Sequence, residues 1–165
     1  MIISSTRLEL HLFTEETKFL YFELMKDIRV MQYITGEALS EAKCEERFEK
    51  LLNINKTSPE AGVHAVFEKS IQKWIGFSKI VYEEEGRAEI GYALLPDFWG
   101  QGYASEITKS LIEYTPSIPK LHTLTAIINP ANIGSKRVLT KQGFFLEKNY
   151  TLDGLPASKY ILVIK

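Results

Sequence analysis

The run from Arg87 to Ile128 reads as strand, glycine turn, helix, strand. "RAEIGYALL" is strand-like, "PDFW" interrupts it, and "GQGYASE" opens a helix over residues 104 to 114, which carries Ala104, Ile107, Thr108 and Leu111 on one face. "TPSIP" closes that helix because proline cannot continue it, and "LHTLTAII" (121 to 128) returns to strand. Two strands joined by a helix that covers the sheet run parallel, so this segment commits the chain to a parallel pair.

The flanks argue for antiparallel pairing. "TRLELHLF" (6 to 13) alternates Leu8, Leu10 and Leu12 with Arg7, Glu9 and His11, the two-residue period of a half-buried strand. A helix from Glu15 to Asp27, with Thr14 as its N-cap, and a second helix after Ser40 follow. Polar "NKTSPEAG" then breaks the pattern before three strands in close succession, "VHAVFEK", "KWIGFSKIVYE" and "RAEIGYALL", which suit a meander. After residue 128 a helix near Asn132 to Gln142 stops at Gly143, and two last strands run over 144 to 150 and 157 to 164. The order βαα-βββ-α-β-α-ββ predicts an α/β (α+β) fold with a mixed sheet.

With 165 residues, 45% of them hydrophobic, and no linker, repeat or low-complexity tract, the chain reads as a single domain over 1–165. Twenty Lys plus Arg balance twenty-one Asp plus Glu for a net charge of -1, which gives no argument for nucleic acid or an acidic membrane surface. No apolar stretch approaches membrane-spanning length, and the one cysteine, Cys44, fits a reducing compartment, so a cytoplasmic protein is expected. An exposed edge strand leaves a homodimer open.

Gly100 and Gly102 stand at the mouth of the 104 to 114 helix. A helix N-terminus leaves about four N–H groups without helical partners and carries partial positive charge, so a glycine loop there is a ready anion site. A tight strand-to-helix turn is the plainer alternative. The stretch is neither a P-loop, since no Gly-Lys-Ser or Gly-Lys-Thr occurs, nor a dinucleotide fingerprint, since Ser105 stands where a third glycine is needed.

Strand "AEIGYALL", then "PDFW", then "GQGYASE" resembles the acetyl-coenzyme-A signature of the GNAT superfamily of N-acetyltransferases, Q/R-x-x-G-x-G/A. It is most similar to the RimJ/RimL-type branch, which acetylates N-terminal amines of ribosomal proteins. Trp99 replaces the Gln or Arg of that pattern; Gly102 is its first glycine and Ala104 its last small residue. Downstream, "INPANIGSKRVLTKQGFF" is similar to the branch's N-x-x-N-x-x-S pattern, filled by Asn129, Asn132 and Ser135. The resemblance implies a GNAT-like, mostly antiparallel sheet with the parallel pair at the cofactor cleft and helices on both faces.

It further implies acetyl-CoA as co-substrate and an amine acceptor. The diphosphate would lie on backbone N–H groups of Gly100, Gln101, Gly102, Tyr103, Ala104 and Ser105. A strand bulged after Gly91 would free an N–H near Ala93 or Leu94 for the thioester oxygen, with pantetheine pairing to Tyr92 and Leu94. Asn132 would bond the pantetheine amides and Asn129 would orient the thioester region. Glu89 is the candidate base for the acceptor amine, and Ser135 the candidate proton donor to the leaving thiolate. Their plainer readings are an ion-paired strand glutamate, a serine capping its own helix and Asn-Pro turn chemistry. Lys109, Lys136, Arg137 and Lys141 are candidates for the adenosine 3'-phosphate.

His11, His64 and His122 have no triad partners and read as strand residues, with His64 the one weighed as facing substrate. No metal-ligand cluster is present in the sequence, and the acidic neighbours of Cys44 argue against an acyl-cysteine. The acceptor wall is expected from Phe22, Arg29, Met31, Tyr33 and the loop "NYTLDGLPAS". A protein N-terminal α-amine is the leading acceptor, a polyamine, amino acid or aminoglycoside the alternative. A CoA-binding sensor without catalysis stays open beside both.

Overall fold

The computed structural model describes residues 2–165. The N-terminal part comprises β1 (Ile2–Ser4), β2 (Leu8–Leu12), α1 (Lys18–Met25), α2 (Ile28–Met31) and α3 (Glu41–Thr57). The meander β3 (Gly62–Glu68), β4 (Lys73–Glu84) and β5 (Arg87–Leu94) follows. After it come α4 (Tyr103–Tyr114), β6 (Thr123–Ile128), α5 (Ile133–Lys141), β7 (Phe145–Leu152) and β8 (Leu155–Val163). The strands form one sheet in the order β1-β2-β3-β4-β5-β6-β8-β7. Among the described residues β5 and β6 are its parallel neighbours, and the remaining neighbours pair antiparallel.

Alternation along each strand gives the sheet two apolar faces. On one, Ile107 and Leu111 of α4 and Leu139 of α5 pack over Ile80, Ile90 and Leu124. On the other, Leu24, Met31 and Phe48 from the first three helices pack over Ala65, Trp74 and Ala93. Helices therefore cover both faces. None of them, among the described residues, is long and apolar enough to cross a membrane.

Three local expectations needed correction. An eighth strand, β1, precedes the first expected one and pairs Ile3 with Leu10; its three residues are too few to display a two-residue period. The helix expected over 15 to 27 stops at Met25, because the Asp27 carboxylate accepts the Arg29 N–H at 2.9 Å and starts the separate short helix α2. Asn55, expected in a break, lies in α3 and is buried: its Nδ2 donates to the carbonyls of Phe13 and Val63, and its Oδ1 accepts the Val63 N–H at 2.8 Å.

Candidate active site at the parting of two parallel strands

The parallel pairing of β5 and β6 covers three positions, Arg87 with Thr123, Ala88 with Leu124 and Glu89 with Thr125. Beyond Glu89 each strand follows its other neighbour, β5 staying with β4 through Leu94 and β6 with β8 through Ile128. A wedge opens between them. Its closed end is pinned by Glu83, which accepts from Thr125 Oγ1 and Lys159 Nζ at 2.9 Å each.

The resemblance implied a bulge after Gly91. The register of β4 with β5 is instead unbroken from Ile90 to Leu94, and its irregularity lies between Tyr82 and Glu84. Loss of the neighbouring strand, not a bulge, bares the β5 edge. The Leu95 N–H donates to Ile75 O, and a Cβ built on Gly76 would collide with the Ala93 carbonyl, so odd-numbered backbone groups here face β4. By alternation the N–H groups of Tyr92 and Leu94 face the wedge. Ala93 is thereby removed as a donor, although its residue borders the cleft.

The wedge continues into a cleft of about 600 Å³ bordered by Tyr92, Ala93, Leu94, Gly100, Gly102, Tyr103, Ala104, Ser105, Asn129, Asn132 and Ser135. Gly100 and Gly102 have φ of 71° and 82°, left-handed values that L side chains rarely adopt. Within α4 the N–H of Glu106 is bonded to Gly102 O, so the preceding N–H groups of Tyr103, Ala104 and Ser105 have no acceptor in the helix. These three N–H groups, with the positive end of the helix, suit an anion of the diphosphate kind. Gln101 is the exception among the expected binders. Its side chain turns back to donate to Asp97 O at 2.9 Å and does not border the cleft.

Trp99, the departure from the family pattern, has a definite part. Its Nε1 donates to Leu94 O at 2.9 Å, which ties the start of the glycine loop to the last residue of β5.

Ser135 lies in the first turn of α5, whose N-cap is Asn132: Oδ1 of Asn132 accepts the Ser135 N–H at 3.2 Å. Asn129 Oδ1 likewise accepts the Ala131 N–H at 2.9 Å. Both asparagines thus shape the turn, and among the described residues their Nδ2 groups have no protein partner. The Ser135 hydroxyl is 3.0 Å from the Tyr92 hydroxyl, a side-chain contact that sequence reasoning missed. Burial raises the Tyr92 phenol above its ordinary pKa, an effect that the bond to Ser135 opposes.

Glu89 points to the opposite face of the sheet, with its Oε1 2.7 Å from Lys79 Nζ. It does not border the large cleft. A smaller cavity of about 130 Å³ in the wedge touches Glu89 and Lys79 at one end and Tyr92 and Ser135 at the other, joining the two faces through the sheet. His64 borders neither space: it is fully buried, with Nδ1 3.2 Å from Ser78 Oγ and Nε2 without a partner. On the expected acceptor side, Arg29 and Tyr33 border the cleft, whereas Met31 is fully buried core and Phe22 packs against that core. Lys109, Lys136, Arg137 and Lys141 are exposed and border neither cavity. No cluster of potential metal ligands occurs among the described residues.

The chain is similar to known proteins in sequence and in fold. The Bacillus subtilis (strain 168) N-acetyltransferase YnaD is 30% identical over 152 residues, covering 88% of this chain and 86% of its own. In two further Bacillus N-acetyltransferases, YoaA and p20, the matched stretch spans about half of their length, 46% and 54%. The solved RimL ribosomal L7/L12 α-N-protein acetyltransferase in complex with coenzyme A superposes with a TM-score of 0.83 at 21% identity, over 99% of this chain and 98% of that one. The Vibrio cholerae spermidine N-acetyltransferase, in complex with CoA and spermine, gives 0.79 at 17% identity over 96% of each chain. The model of the acetyltransferase (GNAT) domain matches residues 7–145, most of the sequence, and the chain belongs to that family.

Proposed function

We propose that this protein transfers an acetyl group from acetyl-CoA directly to the N-terminal α-amine of a protein or peptide. Acetyl-CoA supplies an activated thioester; the chain supplies the groups that hold it and move protons. Backbone N–H groups of the glycine loop and the first turn of α4 hold the diphosphate. The Leu94 N–H, facing the wedge, donates to an oxygen on which negative charge develops. Glu89 accepts the proton of the acceptor ammonium, directly or through water, from the face opposite the cofactor cleft. Ser135, backed by the Tyr92 hydroxyl, returns a proton to the departing thiolate.

One observation carries the choice of acceptor. The charged side chains bordering the two cavities are Arg29, Lys79 and Glu89, and the single carboxylate among them is already paired with Lys79 at 2.7 Å. A polyamine carries several ammonium groups, which such a lining repels; a peptide N-terminus brings one charge to one proton acceptor. The RimL and spermidine enzymes named above demonstrate that this fold serves both acceptor classes, and the charge of the lining favours the first.

The test is a mass-spectrometric acceptor screen, run with a free-thiol assay, that sets ribosomal-protein N-terminal peptides against spermine, spermidine, amino acids and aminoglycosides. Turnover of peptides above the small amines is expected. Faster turnover of spermine would overturn the acceptor assignment. Acetyl-CoA binding without thiol release across the panel would reduce the protein to a sensor.

A further inference from the structure

We propose that Arg7 is a positioning residue of the cofactor cradle, holding the Gln101–Gly102 peptide so that N–H groups rather than a carbonyl face the diphosphate. The proposal rests on reading residues 100–105 as that cradle.

Two left-handed glycines on either side of Gln101 allow the chain to curl, but the same freedom leaves their peptide planes cheap to flip. A flipped Gln101–Gly102 peptide would direct a carbonyl oxygen at an anion. Something must hold it. Arg7, in the turn between β1 and β2, donates from Nη1 to Gln101 O at 3.0 Å. Because C=O and N–H of a trans peptide point in opposite directions, securing that oxygen on the Arg7 side sends the Gly102 N–H the other way. Gly102 borders the cleft there.

The guanidinium is itself anchored from several sides. Its Nε donates to Glu106 Oε2 at 2.6 Å, and its plane lies over the Tyr103 ring with Cζ 4.2 Å from the centroid. Glu106 also accepts the Arg7 backbone N–H at 2.8 Å and the Ser5 hydroxyl at 2.6 Å. Burial alone would raise the Glu106 carboxyl; the bonds from Ser5 and Arg7 outweigh it and hold the group below its usual range. A Cβ added to Gly102 would lie 3.4 Å from Arg7 Nη2, so the guanidinium packs directly against the glycine. One planar group thus reaches Gln101 O, the Glu106 carboxylate and the Tyr103 face together, a geometry that the single nitrogen of lysine cannot reproduce.

The test measures the calorimetric Kd for coenzyme A of Arg7→Met, Arg7→Lys and Gly102→Asp beside the unsubstituted protein, with thermal melts. It also measures kcat/KM with acetyl-CoA and with S-acetylpantetheine, which lacks the diphosphate. Arg7→Met should weaken coenzyme A about tenfold, the loss of one hydrogen bond from a charged donor, and Arg7→Lys nearly as much. With S-acetylpantetheine both should stay within about twofold of the unsubstituted protein. Unchanged coenzyme A affinity in either folded variant overturns the proposal. Full retention by Arg7→Lys would leave a role for charge alone, and equal losses with both donors would mean general damage; each also overturns it. If Arg7→Met does not fold, Arg7→Lys decides by the same criteria. Normal binding by Gly102→Asp would instead overturn the cradle itself.

Discussion

The Tyr92 hydroxyl of β5 and the Ser135 hydroxyl of α5 stand 3.0 Å apart across the wedge, although the two lie 43 positions apart in the chain. A serine hydroxyl alone is far too weak an acid to match a thiolate, whereas a phenol is much closer to it in pKa. Paired, the two would form a short path along which, in the proposed mechanism, Ser135 gives up a proton while it receives one from Tyr92. Tyr92→Phe and Ser135→Ala should each lower kcat about 10²-fold with little change in the KM for acetyl-CoA, and the double variant should be scarcely worse than either. Steady-state kinetics decide the matter: multiplying losses would separate the two hydroxyls.

Glu89→Gln removes the proposed proton acceptor while keeping the shape of the side chain. The rate near neutrality should fall about 10²-fold, and the pH–rate profile should move upward, because the acceptor amine must then lose its proton to solvent. An unaltered profile would retire the assignment and leave Glu89 as the partner of Lys79.

Gly102→Asp places a side chain on a residue at φ of 82° and sets a negative charge at the mouth of α4. Both effects act against an anion there. The Kd for coenzyme A measured by calorimetry should rise by at least about tenfold, a loss on the order of 1.4 kcal/mol, in a variant that remains folded.

His64 makes stability depend on pH in a defined window. Burial keeps its imidazole neutral down to about 4, against 6.5 for the free group. As pH falls between those values, the unfolded chain takes up a proton that the folded one refuses. This residue then costs up to about 1.4 kcal/mol of stability per pH unit, and nothing above the window. Urea unfolding at pH 7 and pH 5 checks it, since His64→Gln should lose about 2 kcal/mol less than the unsubstituted protein over that step. Equal losses would place the titration elsewhere.

The elements legible in the sequence were those with a long period or a strong breaker. The β5–α4–β6 unit, the start of α3 after Ser40 and the Gly143 stop all appear where pattern and punctuation put them. Readings failed where an element is very short, as at β1, where a local cap restarts a helix, as at Asp27, and where a contact between distant residues decides the outcome. Asn55 looks like a helix breaker until its amide is seen bridging Phe13 and Val63. At the site, the glycines were visible because backbone geometry limits which residues can serve there, and the asparagines because they fill a pattern of the family that the sequence resembles. Arg7 gave no signal, since its meaning depends on a carbonyl 94 positions away. Tyr92 was assigned only its backbone, because two-residue periodicity gives a side chain's face and not the hydroxyl that waits on it.

The brevity of the β5–β6 seam has a mechanical consequence. Five strands lie on one side of it and three on the other, and three paired positions are the whole backbone ladder between them, the rest of the joint being side-chain packing and the Glu83 bonds. An extended ligand bonded to the bare edge at Tyr92 and Leu94 would take the place of the missing rungs. Such occupancy would add backbone bonds across the seam, and slower amide exchange on both of its sides would report them.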